Sequence, residues 1–278
     1  MKQARAFAPG NVSCVFKVVP HEDPARMHSL GMGFTVPEGV IVEVSAADRT
    51  TVSFNGAEFA FATVLSVIEA LAPRPVRVVL ESPLPLSGGF GLSGASALST
   101  ALALNELFEL GRTRDQLGLT AHVAEVTNLT GLGDIAGQFR GGCNIKTTSH
   151  DPLAATPLPV PEQPVWYRFF SAINTKEVIG HPEQKRRINE AADAVLGTLS
   201  DLAARGERDF AAYVRASKQF AVQSGLLRDP DVLATIEAIE VAGGHASMIM
   251  LGNAVFSTIP FEGATKTRIS KRAAEVLP

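Results

Sequence analysis

The stretch Pro85-Leu86-Ser87-Gly88-Gly89-Phe90-Gly91-Leu92-Ser93-Gly94-Ala95-Ser96-Ala97 decides how this chain is read. Before it, residues 76–80 (Val-Arg-Val-Val-Leu) have a buried-strand pattern; after it, the Ala/Leu-rich run 93–110 predicts a helix. Strand, glycine loop and helix in that order outline a phosphate site. Glycine lets the backbone approach a ligand closely, and the unpaired amides of a helix's first turn favour an anion. The plain alternative is a flexible turn without a ligand. Four glycines and several hydroxyls at a helix start weigh against it.

Residues 89–94 formally match the dinucleotide fingerprint G-x-G-x-x-G. That fingerprint wants a strand running straight into the first glycine, and a second strand ending in an acidic residue about 20 positions on. Here residues 82–88 intervene, and residues 112–125 read as turn and helix. The Walker pattern G-x-x-x-x-G-K-[ST] is absent. Residues 91–95 fall one position short of the nucleophile elbow G-x-S-x-G, with Ala95 in the last place; a hydrolase would draw its histidine from His181 or His245. The second informative stretch is Thr130-Gly131-Leu132-Gly133-Asp134-Ile135-Ala136-Gly137-Gln138-Phe139-Arg140-Gly141-Gly142, a turn around one carboxylate. An aspartate in such a place is usually a helix cap. Nine residues upstream, Glu125 stands in Ala121-His122-Val123-Ala124-Glu125, whose simplest reading is a helix surface.

Around these two stretches the chain has an ordinary globular composition. Its 278 residues are 46% hydrophobic and 19% charged, enough for a sizeable core and for one large or two modest domains. Lys+Arg 25 against Asp+Glu 28 gives a net charge of -3, which argues against a nucleic-acid or polyanion binder. Two cysteines, Cys14 and Cys143, make no disulfide framework and point to a reducing, cytoplasmic setting. No run of signal-peptide type follows residues 1–5. Residues 82–105 and 241–261 lack Asp, Glu, Lys and Arg, but their prolines, glycines and polar residues suit buried segments of a soluble core better than membrane spans. Histidine and cysteine spacing suggests no structural zinc.

The remaining pattern predicts an α+β chain in two parts. Residues 39–44 and 51–54 read as strands with a hairpin signal at Asn55-Gly56, and 58–71 as a helix ended by Pro73 and Pro75. Five prolines in 151–165 mark a linker. Beyond it come a strand at 165–173 and three helices: one through Ile188 to Leu202, one through Phe210 to Phe220, and one through Val232 to Ile239. An apolar run at 247–259 precedes a C-terminal helix carrying Lys266, Arg268, Lys271 and Arg272.

The loop P-x-x-x-G-[apolar]-G-x-S-x-A, spelled by Pro85, Gly89, Phe90, Gly91, Ser93 and Ala95, resembles the phosphate loop of the GHMP kinases. In that superfamily the loop wraps ATP phosphates with backbone amides, needs no P-loop lysine, and supplies a serine hydroxyl to Mg²⁺. Asp134 followed by Gly141 and Gly142 at +7 and +8 matches the mevalonate-type branch, and Ala8-Pro9-Gly10-Asn11 is similar to the first superfamily motif. Mevalonate kinases carry Lys at the place of Asn11, so this departure argues against mevalonate. Residues 246–253 resemble the third motif. The combination is similar to the archaeal pantoate kinases, through residues 8–10, 23–24, 29–33, 89–95, 97–105, 121–125, 130–134 and 251–256.

That resemblance implies phosphorylation of the primary hydroxyl of pantoate by ATP with Mg²⁺, giving 4-phosphopantoate for coenzyme A synthesis in a homodimer. It implies the two-domain GHMP fold: an N-terminal ribosomal-protein-S5-like α+β domain over 1–157 and a C-terminal ferredoxin-like α+β domain over 158–278. Carried over by position, Pro85, Gly88, Gly89, Gly91, Leu92, Ser93, Gly94 and Ala95 hold nucleotide. Ser93 and Glu125 hold Mg²⁺, which prefers oxygen ligands shared with phosphates. Asp134 accepts or orients the proton of the attacking hydroxyl. Ser29, His122, Lys146 and Thr175 bind pantoate, with Lys146 where the family has arginine. Lysine keeps the charge but loses the planar fork, and Arg140 is a candidate to compensate. The competing readings are a GHMP kinase for another hydroxy acid, a Rossmann-type dinucleotide binder, and a non-catalytic GHMP-fold sensor. Retained Ser93, Glu125 and Asp134 argue against the sensor.

Overall fold

The structure is a computed structural model that describes residues 2–147, 150–173 and 181–278. Its frame is a long antiparallel ribbon of β1 (Gln3–Val19) and β2 (His28–Ala46). Small Ala4, Ala6 and Ala8 of β1 lie opposite Val44, Val42 and Val40 of β2, all buried. Alternation with period two puts these residues on one face, toward the core. The second half of β2 pairs with β5 (Val76–Glu81), which takes β3 (Thr51–Phe54) in parallel; β4 (Ala57–Glu58) closes a hairpin on β3. The first half of β2 pairs with β6 (Cys143–Lys146), and β6 with β7 (Thr156–Pro157). On the far side of β1 lies β12 (Glu275–Leu277). Among the described residues these strands make one eight-stranded sheet. A second, four-stranded antiparallel sheet runs in the order β11 (Thr265–Arg268), β8 (Pro164–Ser171), β10 (Asn253–Ser257), β9 (Ala246–Met248).

Helices α2 (Leu92–Phe108) and α4 (Asp134–Arg140) pack on β1 and β2 of the first sheet, and α1 (Ala62–Leu71) and α3 (Arg114–Thr127) pack against α2. Ala95, Ala97, Leu98, Ala101, Ala103 and Leu104 of α2 are all buried, on every side of the helix, so the charge-free stretch 82–105 is a central core helix and its loop. Helices α5 (Pro182–Ala204), α6 (Phe210–Gln223) and α7 (Pro230–Val241) follow; α5 and α6 pack on β1, and α6 and α7 on β9. Phe34 of β2, Phe210 of α6 and Phe256 of β10 meet edge to face, with centroids 5.2 and 5.4 Å from Phe34, and join the two sheets in one core. Among the described residues no helix is long and apolar enough to cross a membrane.

Three segments differ from the sequence expectation. The basic run expected to be a C-terminal helix is β11 followed by extended chain: Thr265 and Thr267 are β-branched, Thr267 is buried, and Lys266 and Arg268 on either side of it are exposed. The proline-rich stretch 151–165 is packed rather than free, since Leu153, Leu158 and Val160 are buried and Leu158 N donates to Cys143 O. The strand expected at 39–44 is the end of the much longer β2. Its partner β1 escapes the pattern because Pro9-Gly10 sits mid-strand and register shifts at Pro9/Gly10 and Ser13/Val15 break the period.

Candidate active site

The loop between β5 and α2 floors a cavity of about 640 Å³, and Gly89, Gly91, Leu92 and Ser93 line it. Gly91 caps α2 in the left-handed region (φ 60°, ψ 31°) without a side-chain cap, so the first-turn amides have no side chain over them. Pro85 and Gly88 make the turn that leads in, Gly88 N donating to Pro85 O at 3.3 Å. Gly94 and Ala95 form the first turn of α2, with Ala95 N on Gly91 O at 3.0 Å and Gly94 facing Glu125 and Gln138 rather than the cavity. The β9–β10 turn closes over the loop: a Cβ on Gly252 would lie 2.3 Å from Gly88 O, so only glycine permits that approach. Met250 N donates to Ser13 O at 3.2 Å and fixes the same turn to β1.

Two carboxylates converge beside the loop. Asp134 opens α4, and Glu125, fully buried, projects from α3. A Cβ on Gly131 would lie 2.2 Å from Glu125 Oε2 and 3.2 Å from Asp134 Oδ2, so the absence of a side chain there keeps open the space both groups face. Glu125 Oε1 accepts from Thr130 Oγ1 at 2.7 Å, the Ser93 hydroxyl is near enough to help lower the carboxylate's pKa, and Oε2 has no partner among the described residues. Burial, then the charge of Asp134, pushes the Glu125 pKa up to about 7 against those hydroxyls. Burial likewise raises Asp134, opposed by bonds from Asn11 and Ser13. A buried, partnerless carboxylate oxygen with a hydroxyl on the same group and room beside it suits a small oxygen-seeking cation.

A second, narrower cavity opens behind Asp134. Ser13, Ser29 and Gly133 line both cavities, and Lys146 and Asn144 line the narrow one. Lys146 Nζ is largely buried, donates to Asp151 O at 2.5 Å, and has its pKa lowered to about 8 by desolvation. His122 does not line either cavity. It is buried behind them with Nε2 2.8 Å from Met27 O, and burial lowers its pKa to about 4. Arg140 ends α4 exposed and lines neither cavity, so it does not stand in for the family arginine. Thr175 lies outside the described residues.

The profile for the GHMP kinases N terminal domain matches residues 58–142, the span from α1 through both carboxylates. Pantoate kinase from Thermococcus kodakarensis is 32% identical over 284 aligned positions, covering 95% of this chain and 90% of that protein. The chain belongs to the pantoate kinase family of GHMP kinases. Pantoate kinase from Methanocaldococcus jannaschii is 29% identical, with 90% of each chain covered. A solved structure titled "Phosphotransferase related to CoA biosynthesis pathway" superposes with TM-score 0.86 at 25% identity, covering 99% of this chain and 98% of that one. The fold is therefore the GHMP kinase fold.

In this pantoate kinase family member the site also contains residues that sequence reasoning did not place there. Asn11 and Ser13 of β1 both bond Asp134 Oδ1. The signal was present for Asn11, which departs from the lysine of mevalonate kinases; for Ser13 there was none, because β1 itself was not legible. Phe59, Phe61 and Leu129 line the wide cavity and give it an apolar wall. Thr63 Oγ1 on Ser93 O ties that wall to the loop, and Asn128 Nδ2 on Ser66 Oγ ties α1 to the end of α3. Ser87, Leu129 and Leu251 line the same cavity and have φ of 58°, 56° and 63°, left-handed backbone that side chains rarely adopt and that clusters at binding sites.

Proposed function

We propose that this protein transfers the γ-phosphoryl group of ATP to the primary hydroxyl of pantoate, giving 4-phosphopantoate for coenzyme A synthesis. The observation that carries the reading is the junction of the two cavities. Asp134, bonded to Ser13, stands there between the phosphate loop and the narrow pocket that Lys146 lines. The full-length similarity to pantoate kinases supports the acceptor.

In this reading the first-turn amides of α2 and the loop 85–95 receive the triphosphate. Ser93 and Glu125 hold Mg²⁺, which when bound neutralises charge on the transferring group. Ser29 and Lys146 bind pantoate, the lysine facing its carboxylate and so setting the hydroxyl toward Asp134, which takes the hydroxyl proton. His122, neutral at pH 7, fixes the Met27 carbonyl at the entrance to β2 and acts on pantoate through the shape of that segment. Thr175 completes the substrate set in the family resemblance. A cytoplasmic homodimer accompanies the proposal: Cys14 and Cys143 are free and buried, as a reducing compartment allows, and light scattering reads the oligomer.

The test is ADP formation with pantoate, mevalonate, homoserine and galactose, each with and without Mg²⁺. Pantoate-dependent, Mg²⁺-dependent turnover is expected. Turnover of mevalonate with pantoate inert overturns the assignment.

A further inference from the structure

Asn11 and Ser13 lie on the short piece of β1 between its two register breaks, at Pro9/Gly10 and Ser13/Val15. Bulges re-aim side chains, and residues two apart share a face, so this piece turns both side chains toward α4. Asn11 Nδ2 donates to Asp134 Oδ1 at 2.8 Å, and Ser13 Oγ donates to the same oxygen at 3.1 Å. The other oxygen, Oδ2, faces Gly131 and the space beside Glu125. Asn11 is itself held: its backbone N donates to Phe90 O of the phosphate loop at 2.9 Å, and its Oδ1 fills the space a side chain at Gly137 would take, 2.4 Å from a Cβ there. Neither donor carries a charge. The carboxylate torsion of aspartate is broad and roughly two-fold, so two donors on one oxygen remove freedom that the side chain otherwise keeps.

We propose that Asn11 and Ser13 are positioning residues for phosphoryl transfer: as a pair of neutral donors they hold one oxygen of Asp134 and so aim the other at the acceptor hydroxyl. The inference rests on the reading of Asp134 as the proton acceptor. A cation at position 11 would bind the carboxylate by charge from any angle. An amide and a hydroxyl bind it by direction, and reactions of positioned groups are steeply sensitive to direction.

The test is a double-mutant cycle. Asn11→Ala should lower kcat roughly ten- to hundredfold, the range for hydrogen bonds to a charged group, with KM for ATP and calorimetric Kd for ADP changed less than about twofold. Ser13→Ala should lower kcat less, and Ser13→Thr, which keeps the hydroxyl, should restore most of it. In an Asp134→Asn background neither alanine variant should lower kcat further, because both act through the same carboxylate. Equal fold losses in the two backgrounds mean that the residues act independently of Asp134, and overturn the proposal. If Asn11→Ala does not fold, Ser13→Ala carries the same cycle, since it removes a single hydroxyl at the cavity wall. A crippled Asp134→Asn beside fully active Asn11→Ala and Ser13→Ala overturns the positioning pair alone. An Asp134→Asn variant with parental kcat overturns the proton-acceptor reading and the pair with it.

Discussion

Burial strips Lys146 Nζ of most of its water, and the Asp151 carbonyl at 2.5 Å returns one acceptor. The ammonium is still mainly protonated at pH 7, because its pKa falls only to about 8. The charge of Asp151 opposes that fall, and the ammonium lines the narrow pocket, where a substrate carboxylate would meet it. Lys146→Met keeps the packing of the stem and removes the charge. KM for pantoate should rise roughly tenfold or more while KM for ATP stays put; steady-state kinetics with each substrate varied reads this, and unchanged pantoate KM would return Lys146 to a structural role. His122 poses a different residue-scale question, about pH. Its folded pKa of about 4 lies below the ordinary histidine value of 6.5, because burial disfavours the charged form. The unfolded chain therefore takes up the proton first as pH falls. The stability His122 contributes is complete above pH 6.5 and is lost between 6.5 and about 4, by on the order of 3 kcal/mol. His122→Gln, which can still donate to Met27 O, should flatten the fall of Tm across that window. Parallel Tm curves for parent and variant would show that another group titrates.

Between β5 and α2, conformation and chemistry meet at one glycine. Gly91 has φ 60°, and a Cβ on it would lie 2.8 Å from Asp134 Cγ. Gly91→Ala therefore meets two penalties: left-handed strain of roughly 1–2 kcal/mol, and displacement of the carboxylate. Gly111→Ala is the control, since its φ is 65° with nothing within 4 Å of the added Cβ. Both variants should lower Tm, but only Gly91→Ala should lower kcat, by roughly tenfold or more. This loop and α2 were plain in the sequence because dense glycine and an unbroken Ala/Leu run are strong local signals. Helices α5, α6 and α7 were legible from their periodic apolar positions, and their ends agree with caps at Asp209 and Asp229. The β1–β2 ribbon was not, because alanines alternate weakly and bulges shift the phase. The helix expected at 58–71 starts only at residue 62, because Phe59 N still pairs with Val52 O of β3. The same physics divides the site residues. Ser93, Glu125 and Asp134 come from glycine-marked or helical stretches and fall together, whereas the donors that hold Asp134 come from the bulged strand and were visible only once it was folded.

At the scale of the molecule, the chain does not leave its first sheet behind when it enters the second. Ile269 N donates to Gln163 O, Ser270 N to Thr35 O, and Gly142 N to Ser270 O at 2.7 Å. Ala274 N then donates to Gln138 O, Arg114 reaches back to Ala274 O at 3.1 Å, and β12 pairs with the outer edge of β1. Arg272 lies 3.8 Å over the ring of Phe7. The last ten residues thus cover the edge of the strand that carries Asn11 and Ser13, and brace α4 from outside. An uncovered edge strand is a template for aggregation, and buried backbone groups that lose partners are costly. Residues 1–157 expressed alone should therefore lack a sharp thermal transition and tend to aggregate, because β1 loses β12 and Gln138 O and Thr35 O lose their donors. A fragment in which residues 268–278 precede residues 2–157 through a flexible glycine-serine linker restores those contacts. It should regain a cooperative melt by circular dichroism, though not kinase activity, since the β9–β10 turn that closes the phosphate loop is missing. If residues 1–157 melt as cooperatively without the C-terminal segment as with it, the sheet does not depend on its last strand. The bracing of α4 would then have to come from within the first 157 residues.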